Sequence, residues 1–185
     1  VTGERERTYS IFKLGENVVG LSGNVETRVR KIQEILLLRS DIRKVFDALN
    51  DERNLQTAAE AVKNSGKQLQ LTICYSVTEE GRLGGPIFDL DYYLEKAKRF
   101  ACMGADSICL KDMAGLMAPY DAFDLVTALK AELDIPLQLH THYTSGMASM
   151  TTLKAIDAGI DIVDACLAPL ALRTSQPAIE PLLVS

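Results

Sequence analysis

The sequence predicts an α/β fold, a (β/α)8 TIM barrel of which this chain contains only a part. Two observations lead to this class. From about residue 40 onward, β-rich and helical segments alternate with the spacing of βαβ units, roughly thirty residues each. Polar side chains also follow several different strands, as they do at the mouth of a barrel. A doubly wound open sheet would gather its ligand at one switch point, and neither glycine-rich nucleotide-binding motif is present.

The first full repeat has clear start and stop signals. A strand is predicted over residues 42–49, and the helix after it begins at Asp51, a residue suited to an N-cap. Gly66 suits the position that follows a helix. The next predicted strand covers 68–76 and is rich in β-forming residues. A loop rich in Gly and Pro follows it over 79–88, on the side where an active-site loop is expected.

The later repeats show the same signals. One helix closes at Gly104, the next opens at Pro119, which suits a first helical turn, and the last ends at Gly159. These segments are predicted as helices over 89–104, 119–134 and 146–159, and as strands over 106–113, 135–143 and 160–169.

The first forty residues are less periodic. They contain a predicted strand over 15–24 and a predicted helix over 25–38. A complete barrel needs about 250 residues, so we expect the missing strand or strands to precede Val1 and an extension to follow Ser185. We expect the open sheet edge of such a barrel to be covered by further chain or by a partner. Residues 1–185 are therefore treated as one partial TIM-barrel domain.

Composition excludes several classes of protein. Hydrophobic residues make up 47% of the chain, and 20 basic against 25 acidic residues give a net charge of −5, which argues against nucleic-acid binding. No apolar run approaches the length of a membrane span, and the first ten residues lack the apolar region of a signal peptide. None of Cys74, Cys102, Cys109 and Cys166 forms a C-x-x-C pair, which predicts buried thiols in a reducing, cytoplasmic environment.

The only two histidines of the chain stand two residues apart, in the segment "QLHTHYTSG". Residues i and i+2 of a strand point to one face, so His140 and His142 aim both imidazoles the same way. Near the carboxyl end of a barrel strand, this arrangement suits two nitrogen ligands of one divalent metal ion. The alternative is a pair of hydrogen-bonded polar side chains that close the barrel mouth.

The segment "SICLKDMAG" places Lys111 at the end of the neighbouring strand. Burial beside a cation would lower the pKa of its ammonium group, and a neutral lysine can react with CO2 to give an anionic carbamate that binds metal. The alternative is a lysine that pairs with Asp112 or lies at the rim of the barrel.

Several motifs in order resemble the carboxyltransferase barrel of biotin-dependent enzymes, a group that includes the oxaloacetate decarboxylase α subunit and the B-type subunit of pyruvate carboxylase. These motifs are "FDALNDERN", "TICYS", "GADSICLKDMAGL", "LHTHYTSGMASM", "KAIDAGIDIVDA" and "TSQPAIEPL". The resemblance covers most of the chain from Val45 to Val184. It implies metal-dependent carboxyl transfer between oxaloacetate or pyruvate and biotin, in either the decarboxylase or the carboxylase direction.

The resemblance also implies roles for particular residues. Lys111 would be carboxylated and would bind the metal (Zn, Mn or Co) together with His140 and His142. The family's aspartate ligand, from a motif on its first barrel strand, has no counterpart here. Lys44 stands near the family arginine that contacts the keto-acid carboxylate, so Lys111 and Lys44 are the predicted catalytic residues. Thr174 is not the family's proton-shuttling threonine, and residues 174–177 are predicted to start a helix.

Partners follow from the same resemblance. The biotin-carrier motif is absent, so biotin would arrive on a separate carrier domain, and the protein would work with membrane decarboxylase subunits or a biotin carboxylase subunit, as a homo-oligomer. One alternative is an acyl lyase or synthase like hydroxymethylglutaryl-CoA lyase or isopropylmalate synthase. Those enzymes follow H-x-H with asparagine-aspartate, whereas this chain has Tyr143 and Thr144. The other alternative is a truncated, non-catalytic barrel. It is suggested by the missing aspartate, by Lys44, and by Leu14, which stands where the family has arginine.

Overall fold

The computed structural model describes residues 9–12, 18–21, 41–78, 83 and 85–185. They form a seven-stranded sheet with the order β2-β1-β3-β4-β5-β6-β7. The strands are β1 (Tyr9–Phe12), β2 (Val18–Leu21), β3 (Ile42–Phe46), β4 (Gln68–Cys74), β5 (Ser107–Asp112), β6 (Leu137–Thr141) and β7 (Ile162–Val163).

Helices connect the strands from β3 to β7, and their ends match the sequence signals. The Asp51 side chain accepts a hydrogen bond from the Arg53 amide, and Gly66 follows the first helix with φ +70°. Pro119 begins the third helix. The helices are α1 (Glu52–Asn64), α2 (Leu90–Cys102), α3 (Pro119–Glu132), α4 (Ala148–Asp157) and α5 (Ile179–Val184). Within the described residues, no helix combines the length and apolar character needed to cross a membrane.

The strands from β3 to β7 are parallel and lie in sequence order, each pair joined through a helix. This is the arc of a (β/α)8 barrel, so the predicted fold class is confirmed. The predicted strand over 15–24 contains β2, whereas β1 was not predicted. Strand β1 pairs antiparallel with both β2 and β3, with Ile11 opposite Val45, and therefore covers the free edge of β3. The predicted helix over 25–38 lies outside the described residues.

The two faces of the parallel sheet differ sharply in chemistry. The face under the helices is apolar and fully buried, and it consists of Leu69, Leu71, Ile73, Ile108, Leu110, Leu137 and Leu139. The opposite face, which lines the barrel interior, is also buried but polar. Gln70, Thr72 and Gln138 are at most 2% exposed there. The alternation "QLQLTIC" of β4 thus sends leucine and isoleucine to the helices and polar residues inward.

Several predicted boundaries are wrong. The strand predicted over 42–49 ends at Phe46, because Asp47 starts a turn in which its carbonyl accepts a hydrogen bond from the Asn50 amide. The strand predicted over 160–169 is reduced to β7, and a 3-10 helix covers Ala168–Leu170.

The cysteine prediction is right in part. All four cysteines are free thiols, and Cys74 and Cys109 are buried as expected. Burial raises the pKa of both thiols to about 11, which keeps them protonated and unreactive at neutral pH. Cys102, at the end of α2, is exposed and Cys166 is half-buried, which corrects the expectation for these two residues.

Candidate active site

Strand pairing brings the predicted site residues into one row at the carboxyl ends of the strands. Lys111 on β5 pairs with Cys74 on β4 and with His140 on β6. Asp164 directly follows β7, and its amide donates to the carbonyl of Leu139. Residues paired across parallel strands share a face. The row therefore lies on the inner face of the barrel arc, where barrel enzymes have their active sites.

The two histidine rings come together as the sequence predicts. Their centroids are 5.1 Å apart, and their Nε2 atoms are 3.3 Å apart. His142 lies just beyond β6, which ends at Thr141, so the predicted strand over 135–143 is too long at this end. The buried Thr141 side chain points the other way and donates to Asp112.

Hydrogen bonds at the far side of each ring fix its tautomer. His140 Nδ1 lies 2.6 Å from Asp164 Oδ2, and His142 Nδ1 lies 2.6 Å from the carbonyl oxygen of Thr174. A carbonyl and an ionised carboxylate only accept hydrogen bonds, so each Nδ1 carries a hydrogen. In the neutral rings both Nε2 atoms then face each other with bare lone pairs. This contact is unfavourable unless a cation or a donor lies at the pair.

The chemistry of this pair fits a divalent metal ion. Two nitrogens each bound at about 2.0–2.1 Å in a tetrahedral site lie about 3.3–3.4 Å apart, which matches the observed separation of 3.3 Å. Hydrogen-bond acceptors on Nδ1, as on His140 and His142, are typical of metal-binding histidines. Among the described residues, no three His, Cys, Asp or Glu side chains form a possible metal-binding group. The described His, Cys, Asp and Glu side chains alone therefore do not complete such a site.

Lys111 is buried, with 7% of its surface exposed. Burial lowers the pKa of its ammonium group, and the neighbouring cysteines oppose that shift. Its Nζ lies 3.8 Å from the centre of the Phe46 ring at the end of β3. Asp112, the alternative partner for the lysine, accepts hydrogen bonds from the backbone amides of Leu116 and Met117 and so organises the loop after β5.

Lys44 joins the cluster through Asp164. Its Nζ is 3.8 Å from Asp164 Oδ2, and its side chain is 12% exposed. Burial alone would raise the pKa of Asp164, but the hydrogen bond with His140 and the positive charge of Lys44 outweigh burial and lower it. Asp164 therefore stays ionised and connects Lys44 to the histidine pair. The sequence analysis assigned no role to Asp164.

A buried row of amides supports this carboxylate. Gln70 Nε2 donates to Gln138 Oε1 at 2.9 Å, and Gln138 Nε2 donates to Asp164 Oδ1 at 2.6 Å. Both glutamines are at most 2% exposed. Buried polar groups need such partners, and these bonds hold the carboxylate in the orientation that His140 requires. The sequence reasoning missed this row, although inward polar residues at every second position of β4 were a signal for it.

A turn after β7 completes the surroundings of the histidines. The Thr174 carbonyl pairs with His142, and Gln176 Nε2 lies 3.3 Å from His140 Nε2. The prediction that 174–177 starts a helix is wrong, because α5 begins at Ile179. Leu172 and Arg173 have φ of +73° and +56°, a conformation that costs about 1–2 kcal/mol for a residue with a side chain.

The loop after β5 packs directly against the histidine loop. A Cβ added to Gly115, which has φ +66°, would lie 2.3 Å from the carbonyl oxygen of His142. The Ser145 hydroxyl donates to the Gly115 carbonyl and ties the two loops together. Only glycine allows both this conformation and this close approach.

A parallel βα arc that gathers polar side chains at the carboxyl ends of its strands defines the class of TIM-barrel proteins. The chain belongs to the HMGL-like family, whose model matches residues 25–184.

The chain is similar to pyruvate carboxylases and to their carboxyl transferase domains. The chain is 44% identical over 175 residues to the B-type subunit of pyruvate carboxylase from Methanocaldococcus jannaschii, covering 92% of this chain and 29% of that protein. It resembles the complete multifunctional pyruvate carboxylase of Rhizobium etli, with a TM-score of 0.84 and 33% identity, over 92% of this chain and 16% of that one. It also resembles the carboxyl transferase domain of that enzyme solved with pyruvate and biocytin, with a TM-score of 0.77 and 33% identity, over 84% of this chain and 27% of that one. The chain thus spans less than a third of the length of these relatives, and the predicted resemblance is confirmed.

Proposed function

We propose that the chain is the metal-binding part of a biotin-dependent carboxyltransferase acting on oxaloacetate and pyruvate, and that residues 1–185 form one partial barrel domain. The observation that carries this proposal is the convergence of His140 and His142, whose Nε2 atoms lie 3.3 Å apart beside the buried Lys111 of the neighbouring strand. The names of the relatives supply the substrate class.

The side chains of this chain would divide the work as follows. His140 and His142 would hold a Zn, Mn or Co ion, and Lys111, carboxylated on Nζ, would add an anionic oxygen ligand. When bound, the ion would supply Lewis-acid chemistry at the keto oxygen of the substrate. Lys44 would attract the substrate carboxylate, while Asp164 keeps its ammonium group near the histidine pair.

The proposed reaction balances as an exchange of a carboxyl group for a proton. The C3–C4 bond of oxaloacetate breaks, the C4 carboxyl group passes to N1 of biotin, and the proton from N1 goes to C3 to give pyruvate. The reverse direction carboxylates pyruvate. We propose that biotin is brought by a separate carrier domain, that partner subunits are a biotin carboxylase or membrane decarboxylase subunits, that the chain assembles as a homo-oligomer, and that it works in the cytoplasm.

The test is the metal content and intact mass of the purified chain and of Lys111→Ala. We expect one metal ion per chain and the added mass of one CO2 in the parent, both lost in Lys111→Ala. Lys154→Ala is the matched control, because Lys154 pairs with Asp157 on the exposed side of α4. A Lys111→Ala chain that keeps full metal content contradicts the lysine's role, and a parent that takes up no metal supports the alternative of a non-catalytic barrel.

A further inference from the structure

We propose that Gln176 binds the substrate, by donating a hydrogen bond from its side-chain amide to an oxygen of the 2-oxo acid held at the histidine pair. This inference rests on the proposed function and adds a residue to which sequence analysis assigned no role. It is carried by the position of one amide group beside His140.

The orientation of the Gln176 amide follows from its two neighbours. Gln176 Nε2 lies 3.3 Å from His140 Nε2, which is a bare acceptor because Nδ1 of that ring carries the hydrogen. Gln176 Oε1 lies 3.4 Å from the thiol of Cys166, which can donate. If the amide were reversed, its oxygen would face the lone pair of His140 Nε2, and its NH2 group would face the sulfur of Cys166, a weak acceptor. The NH2 group therefore faces the candidate metal site.

The backbone around Gln176 holds it in place. The Leu172 amide donates to the Gln176 carbonyl at 2.8 Å, and the Cys166 amide donates to the Pro177 carbonyl at 2.9 Å. The same turn presents the Thr174 carbonyl to His142. One short segment thus orients one ring through its backbone and reaches the other ring with a side chain, so the amide is preorganised.

Cation binding changes what this amide can do. His140 Nε2 cannot accept a hydrogen bond once its lone pair binds a cation, so Gln176 loses that acceptor. Leaving a donor without a partner is costly. A small dianion or 2-oxo acid held by a cation at His140 would bring its oxygens near this amide. Gln176 would then serve as the neutral donor that recognises the substrate oxygen.

The probe is oxalate binding to the Co(II)-loaded chain, followed by the visible absorption of Co(II), which needs neither a biotin carrier nor turnover. We expect Gln176→Ala to bind Co(II) like the parent and oxalate about tenfold or more weakly, the effect of losing a hydrogen bond to a charged ligand. Gln176→Glu should bind Co(II) more tightly and oxalate more weakly, because its added negative charge attracts the cation and repels the anion. A residue that only shaped the turn would not separate these two affinities.

Gln56→Ala is the matched control, because Gln56 is an exposed glutamine on α1, outside the candidate site. Its oxalate affinity should equal that of the parent. Unchanged oxalate affinity in Gln176→Ala, or an equal loss in Gln56→Ala, overturns the role of the amide and leaves the proposed function standing. A parent chain that binds no Co(II) overturns the proposed function, and the inference with it.

Discussion

The two faces of the parallel sheet are formed by alternate residues of the same strands, yet they serve different purposes. The face under the helices is made only of leucine and isoleucine on its central strands, with at most 1% of each exposed. The inner face is equally buried at Gln70 and Gln138, but it carries amides. A chain of hydrogen bonds runs from these amides through Asp164 to His140. Burial stabilises the first face through apolar contact. On the second face, burial strengthens each hydrogen bond and makes an unpaired polar group costly. The hydrogen bonds there fix the orientation of the side chains rather than adding stability.

The largest expected effect is a loss of stability from a substitution on the sheet face that packs against the helices. Leu71→Ala removes a fully buried side chain from the centre of β4. We expect the free energy of unfolding to fall by about 2–5 kcal/mol, measured by urea denaturation. The Co(II) affinity of the folded chain should stay unchanged, because Leu71 points away from the site. A large loss of Co(II) affinity with little loss of stability would contradict the division between the faces.

A second large effect is expected where two loops meet at the site. Gly115→Ala adds a Cβ against the His142 carbonyl, whereas Gly66→Ala, at a similar φ of +70°, meets nothing within 4 Å. Both variants carry the strain of a left-handed residue, about 1 kcal/mol or more. Only Gly115→Ala should also weaken Co(II) binding, since it displaces the His142 backbone. Equal Co(II) affinities in the two variants would show that this contact does not position the ring.

Replacing an amide of the inner face should lower Co(II) affinity more than it lowers the stability of the fold. Gln138→Leu removes the donor to Asp164 Oδ1 and leaves that carboxylate free to turn away from His140. We expect Co(II) affinity to drop about 10–100-fold, as for other changes to groups that orient a metal-binding histidine. The loss of stability should be smaller, because the Gln70 amide that donates to Gln138 also donates to the Ser107 hydroxyl and keeps that partner. If Co(II) affinity holds and stability falls instead, the amide row is structural support and does not position the metal ligand.

A gain of stability is expected at Thr72, next to Leu71 but on the inner face. Its hydroxyl is fully buried and, within the described part of the chain, has no hydrogen-bond partner. Thr72→Val replaces that hydroxyl with a methyl group of similar size, so we expect about 1 kcal/mol more stability. The measurement is urea denaturation beside Leu71→Ala. A loss of stability in Thr72→Val would show that the inner face does require this hydroxyl.

The smallest effect concerns the outer surface of the helices. Burial opposes the charge of Glu52, but the ammonium of Lys96 at 2.6 Å outweighs burial, and the pKa of Glu52 falls below its usual 4.5. A lowered folded-state pKa stabilises the fold above the unfolded value, and this stabilisation is lost as pH falls through the folded value. The stability difference between parent and Glu52→Gln, below about 1 kcal/mol, should be constant near pH 7 and shrink under pH 4.5. Glu60→Gln, on the exposed side of the same helix, is the control, and an identical pH profile for both variants would refute the role of the ion pair.

Local signals in the sequence were enough to predict the order of the strands and helices and a part of the candidate site. Asp51, Gly66 and Pro119 mark helix ends, and their chemistry acts within one turn, so the predictions for them hold. The spacing of His140 and His142 placed both rings on one side for the same local reason. That the pair binds metal stays a prediction, as do the roles of Lys111 and Lys44.

The partners that make the histidine pair suitable for a metal came only from the tertiary structure. Asp164 lies 24 residues from His140, the Thr174 carbonyl 32 residues from His142, and the Gln176 amide 36 residues from His140. Residue type and periodicity predict what a strand exposes to each face. They do not predict which distant turn reaches it, because that depends on strand register and on left-handed residues such as Leu172 that local propensity disfavours. The sequence by itself thus determined two rings on one face, and packing decided which nitrogen of each ring is free.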